Sequence, residues 1–98
     1  MATFISIVRF TDQGMKGIKA TCKRAEAFKT EAEKMGVQVK SIFWTLGPFD
    51  GLMVFDAADE ETATALMLRL ASFGNVHTQT ARAYEAVEME KILGKLSE

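Results

Sequence analysis

"VQVKSIFWTLGPFDGLMVFDA", residues 37–57, packs two β-rich runs around a very short connection. The runs "VQVKSIFWTL" (37–46) and "GLMVFDA" (51–57) are dense in Val, Ile, Phe and Trp, residues that suit a pleated, half-buried surface. Between them stand Gly47, the chain's one proline Pro48, Phe49 and Asp50, with Gly51 following. Pro48 presets a turn position, the glycines accept backbone geometry that other residues resist, and Asp50 can accept hydrogen bonds from nearby amides. The stretch predicts a β-hairpin. It is the one strand-to-strand link short enough to be a hairpin.

Working outward, "TFISIVRF" (3–10) is a first strand, and "TDQGMKGIKA" (11–20) is a loop or short irregular turn. From Thr21 to Met35, apolar Ala25, Phe28, Ala32 and Met35 recur every three or four residues, the stripe of an amphipathic helix closed by Gly36. Beyond the hairpin, "ADEETATALMLRLASFG" (58–74) predicts a second long helix. Asp59 is its N-cap, Glu60 and Glu61 suit its positive start, and Gly74 ends it. "NVHTQTARAYE" (75–85) is a fourth strand. "AVEMEKILGKL" (86–96) is a last helix with Met89, Ile92, Leu93 and Leu96 on one side.

The order is β-α-β-β-α-β-α. It predicts an α+β, ferredoxin-like βαββαβ fold with a four-stranded antiparallel sheet and an added C-terminal helix, one domain over residues 1–98. Alternation divides the first three strands into two sets. One holds Ile5, Ile7, Ile42, Trp44, Leu46, Met53 and Phe55; the other holds Phe4, Ser6, Val8, Phe10, Ser41, Phe43, Thr45, Leu52 and Val54. Neither set is polar, as the wet face of a one-sided sheet would be. Helices cover one face, so a second copy of the chain is expected on the other, sheet on sheet, in a dimer or a multiple of dimers.

Composition sets the outer bounds. A net charge of −1 provides no overall field for nucleic acid or an acidic membrane. One cysteine, Cys22, and one histidine, His77, supply neither an intramolecular disulfide nor a zinc cluster. The apolar run at the N-terminus has no basic segment before it and is too short for a signal core or a membrane span. A cytoplasmic protein is expected. No metal or cofactor is expected either, since the chain lacks a phosphate-binding glycine loop and a nucleophile motif.

The stretches "FISIVRFTDQG", "KRAEAFK", "WTLGPFD" and "GNVHTQTARAYEAVEMEKIL" resemble the GYD domain family over nearly the whole chain. That family is named for a Gly-Tyr-Asp signature at the turn between the second and third strands, usually with one residue between glycine and tyrosine. Gly47 and Asp50 match it, and Phe49 stands where tyrosine is usual. The resemblance implies a small bacterial or archaeal protein of the dimeric α/β barrel superfamily, with no assigned activity. A fainter similarity, in strand order and in the glycine-x-aromatic-aspartate turn, runs to the effector-binding domains of Lrp/AsnC-type regulators. No helix-turn-helix segment accompanies it here, so DNA binding is not implied. Small monooxygenases of the same superfamily set a tryptophan, an asparagine and a histidine around their substrate. Trp44, Asn75 and His77 share those types without a shared pattern.

The candidate ligand site is therefore a pocket between sheet and helices for a small organic molecule. Asp50 would orient an amine or hydroxyl, Phe49 would form an apolar wall, and Gly47, Thr11 and Arg82 would lie nearby. His77 is the proton-transfer candidate if the protein is an enzyme, because its side chain normally titrates near neutrality. Each residue also has a structural account. Turn chemistry explains Gly47 to Gly51, "TDQG" (11–14) can satisfy an irregular turn, and Arg9 and Arg82 can pair with Asp12, Asp50 or Asp56 across a dimer. The alternatives to a ligand-binding protein or cofactor-independent enzyme are a regulatory effector-binding module and a structural oligomer without a ligand.

Overall fold

The computed structural model describes residues 1–96. Four strands, β1 (Ala2–Phe10), β2 (Gln38–Trp44), β3 (Gly51–Ala57) and β4 (Val76–Ala83), form one antiparallel sheet in the order β2-β3-β1-β4. The helices are α1 (Asp12–Lys16), α2 (Thr21–Lys34), α3 (Glu60–Ser72) and α4 (Ala86–Leu93). This is the ferredoxin-like arrangement expected from the element order, with α4 as the added C-terminal helix.

Register settles the faces, because residues opposite one another across a ladder share one. Phe4, Ser6 and Val8 of β1 lie on the same side as Met53, Phe55 and Ala57 of β3. That side receives Phe28 and Ala32 of α2 and Ala63, Leu66 and Met67 of α3, residues spaced at helical period. Phe4 and Phe55 stack at its centre with ring centroids 5.5 Å apart. Ser6 is fully buried there, and its hydroxyl is shared with Thr80 Oγ1 at 2.9 Å and Met67 Sδ at 3.7 Å.

The grouping by alternation was right within β2 and β3 and inverted for β1. Ile5 and Ile7 lie with Ser41, Phe43, Leu52 and Val54 on the face turned away from the core. Both halves of β1 are apolar, so alternation separates them without saying which is inside. Cross-strand neighbours decide. A register shift between Val39 and Ser41 lets Val39 and Ile42, three residues apart, both join the core side. Ile5 and Phe43 remain exposed on the outer face.

The segment expected to be a loop, 11–20, instead contains α1 and a 3₁₀ turn at Ile18–Ala20. Thr11 caps α1 through its hydroxyl, which accepts from Gly14 N at 3.1 Å. Asp59 caps α3 as predicted, accepting from Thr62 N at 2.8 Å, and that bond holds its carboxyl below the usual range.

Candidate functional site

A cavity of about 490 Å³ lies between the core side of the sheet and the two long helices, where the strands β1 and β2 end and β3 begins. Its walls are mainly apolar and aromatic: Phe10, Phe28, Trp44, Met53 and Phe73. The local sequence explains the hollow. Gly51 places bare, buried backbone on the cavity side of β3, and α2 contributes the small Ala25 to the lining. A Cβ on Gly51 would come within 3.0 Å of Phe43 O, so the hairpin itself keeps the floor empty. Trp44 stands over the opening, 47% exposed, with its indole N–H donating to Thr21 Oγ1 at 3.0 Å. That bond ties the end of β2 to the start of α2.

Asp50 lines this cavity. Its carboxylate does not serve the turn's own amides; Oδ2 accepts from Phe10 N of β1 at 2.9 Å, forty positions away. The main chain of Asp50 also donates to Val8 O and accepts from Thr45 N, so one residue joins the hairpin turn to the end of β1. The turn closes further through Thr45 Oγ1, which donates to Phe49 O at 2.6 Å. Gly47 sits at φ +133°, where a side chain would be strained.

The other predicted site residues fall elsewhere. Thr11 lies just behind the cavity wall, donating through its hydroxyl to Gly74 O at 2.6 Å and through its amide to Asn75 O at 3.0 Å. Gln13 continues the same seam to Phe73 O and Asn75 Oδ1, both at 2.9 Å. Gly14 lies so close that an added Cβ would sit 2.0 Å from Asn75 O. "TDQG" is thus one half of a close junction with "FGN" (73–75), made by the Thr11 amide and by the Thr11 and Gln13 side chains.

Arg82 is at the far end of β4. It donates to Thr3 O at 3.2 Å, to Ala83 O and to Glu88 Oε2 at 3.1 Å, with its guanidinium 4.6 Å from the Tyr84 ring centroid. Within the chain its charged partner is Glu88 of α4. His77 is exposed and opposite Arg9, on the outer face of the sheet. Trp44 and Asn75 both line the cavity, while His77 does not. Phe49 and Gly47 remain in the turn, outside the lining.

Sequence reading missed Arg24, Gly51, Phe10 and Phe73. Arg24 precedes the stripe residue Ala25 and reads as solvated charge, yet it lines the cavity and donates to Gly17 O at 2.7 Å and Gly14 O at 3.3 Å. Gly51 reads as a turn residue, although it belongs to the strand. Among the described residues, no group of His, Cys, Asp and Glu is placed to hold a metal ion, and no helix is long and apolar enough to cross a membrane.

The family model of the GYD domain matches residues 4–93. The chain is a member of the GYD domain family. Over 90 residues it is 34% identical to the "Glutamine synthetase and cystathionine beta-lyase binding protein" of Thermus thermophilus, covering 91% of this chain and 95% of that protein. Its fold is also similar to an ACT domain protein from Streptococcus pneumoniae, at 18% identity and a TM-score of 0.49, over 85% of this chain and 90% of the other. Of Gly47, Phe49 and Asp50 in the hairpin turn, which falls within the matched residues, only Asp50 lines the cavity.

Proposed function

We propose that this GYD protein is a small regulatory binding protein of the cytoplasm. It takes a small organic ligand between sheet and helices and associates with other proteins, copies of itself included. The observation that carries the reading is the cavity. Its volume is within the range of about 300–1,000 Å³ usual for small-molecule sites, and its apolar walls converge on a few polar groups. His77 stands on the opposite face, which favours binding over turnover.

Association with larger partners draws on the Thermus thermophilus relative, which is named for binding glutamine synthetase and cystathionine beta-lyase. Glutamine synthetase of the same cell is accordingly the first partner to try. The outer face, with Ile5, Ile7, Phe43, Leu52 and Val54, is the surface suited to a second copy.

Native mass spectrometry and size-exclusion chromatography test both parts. The expected result is a homo-oligomer that co-elutes with glutamine synthetase, and a Val54→Asp chain of single-copy mass. A chain that is monomeric and elutes apart from both enzymes would overturn the association. Retention of a discrete small mass by the native protein would support the ligand.

A further inference from the structure

Charge accounting in the cavity narrows the class of ligand. The four ion pairs among the described residues are Glu26–Lys29, Asp56–Lys40, Glu31–Arg69 and Glu88–Arg82. Neither Asp50 nor Arg24 takes part, and both line the cavity. Asp50 is bonded to one amide, and Arg24 to two carbonyls, so neither has an oppositely charged partner among the described residues. The guanidinium has further N–H donors to offer, and the carboxylate has a second oxygen. Other polar lining groups are already engaged: Thr21 by Trp44, Asn75 by Gln13 and Glu31 by Arg69.

An anion at the end of the hairpin and a cation on α2 therefore border one apolar hollow. Beside low-dielectric walls, opposite charges attract more strongly than in water. A neutral ligand would leave both groups uncompensated, and a singly charged one would leave one of them so. We propose that the ligand is a zwitterion with an apolar body, of which α-amino acids with aliphatic or aromatic side chains are the simplest class. Its ammonium faces Asp50, its carboxylate faces Arg24, and its body lies on Phe28, Met53 and Trp44. This rests on the reading of the cavity as a ligand site.

Trp44 is the only tryptophan of the chain and lines the cavity, so its emission reports occupancy directly. The full chain is titrated with L-phenylalanine and L-methionine. Parallel titrations use phenethylamine, which lacks the carboxylate, 3-phenylpropionate, which lacks the amine, and benzyl alcohol, which carries no charge. Saturable binding of an amino acid, weakened at least tenfold by deleting either charge, is expected. Asp50→Asn keeps an acceptor for Phe10 N, and it should weaken L-phenylalanine and phenethylamine while leaving 3-phenylpropionate unchanged. If benzyl alcohol or a singly charged analogue binds as tightly as the amino acid, the zwitterion class is wrong and the cavity reading stands. If every probe leaves the emission unchanged, the class and the cavity reading both fall. Association with glutamine synthetase is scored separately, by co-elution.

Discussion

The two ends of the sheet are held in different ways. At the end where β1 finishes and β4 starts, main chain comes up against main chain: Gly14 lies against Asn75 O, which also accepts from Thr11 N, and the Thr11, Gln13 and Asp50 side chains bond to backbone around that contact. At the other end, side chains make the links. Thr3 Oγ1 donates to Asp56 Oδ1 at 2.7 Å, Lys40 lies 3.6 Å from Asp56, and Arg82 ties α4 to the sheet. The first end encloses the cavity. The second leaves Met89 and Leu93 of the apolar stripe of α4 more than 40% exposed. Backbone contact tolerates almost no change in shape and so can keep a hollow open beside it, whereas a side-chain clasp can be released without disturbing the sheet.

The sharpest way to break this contrast is Gly14→Ala. A methyl group 2.0 Å from a main-chain oxygen cannot be accommodated by a rotamer change, so the junction must move. Overpacking of this kind costs about 3 kcal/mol or more. For a chain of this size that lowers the melting temperature by roughly 12 °C or more, measured by circular dichroism. Gly17→Ala, whose nearest neighbour is the flexible end of Arg24 at 3.2 Å, should cost less than about 1 kcal/mol. Equal losses in the two variants would mean that the junction is no tighter than its surroundings.

Arg82→Ala tests the opposite end. It removes the bonds to Thr3 O, Ala83 O and Glu88 at once, and hydrogen bonds to charged groups contribute about 1.5–3 kcal/mol each where buried, less where half-exposed. A loss of about 1–2 kcal/mol is expected, concentrated in α4. Amide exchange should quicken from Ala86 to Leu93 while β1 and β3 keep their protection, because an isolated helix of this length is marginal in water. Uniform loss of protection across the sheet would erase the distinction between the ends.

At the hairpin the comparison can be refined within one residue. Asp50→Ala orphans Phe10 N and should cost on the order of 1 kcal/mol, while Asp50→Asn keeps the acceptor and should be close to neutral in stability. Denaturant midpoints measure the difference. If Asn is as costly as Ala, the charge itself holds the turn.

What the sequence disclosed follows from the same contrast. Helix α2, with its stripe at 25, 28, 32 and 35, announces itself by period, α3 by Asp59 at its start and Gly74 at its end, and the hairpin by its breakers. Residues 12–16 span little more than one helical turn, too few for a period, and they are helical because Thr11 caps them and Asn75 receives them. Burial of Ser6 and exposure of Ile5 follow from partners on β4 and α3, which no local pattern encodes. The candidate site divides likewise. Asp50 was legible from the turn, but a cavity is defined by what fails to fill it, and Gly51 and Ala25 show their importance only when their elements face each other.

The smallest expected effect is a pH dependence at the clasp. Glu88 accepts from Glu85 N at 3.3 Å, the return half of a capping box, and then from Arg82. The bond to the Glu85 amide and, after it, the contact with Arg82 hold its carboxyl below the usual glutamate range. A carboxyl whose pKa is lower folded than unfolded binds its proton less readily in the native state. Its stabilising contribution is therefore complete above the unfolded value near 4.5 and is lost as the pH falls through the lower folded one. Because the group is exposed, the effect is confined to α4 and weakened by salt. Chemical shifts of Ala86 to Leu93 should move toward coil values as the pH falls below the ordinary glutamate range, and those of β1 should stay in place. Glu88→Gln should bring that fraying to neutral pH and flatten its dependence. Asp59 is lowered by the same kind of amide bond, at the cap of α3. The buried stripe of α3 holds its helix when that cap is protonated, whereas α4 has no buried residue to do the same. Fraying of α4 before α3 on acidification is the outcome that the side-chain clasp requires.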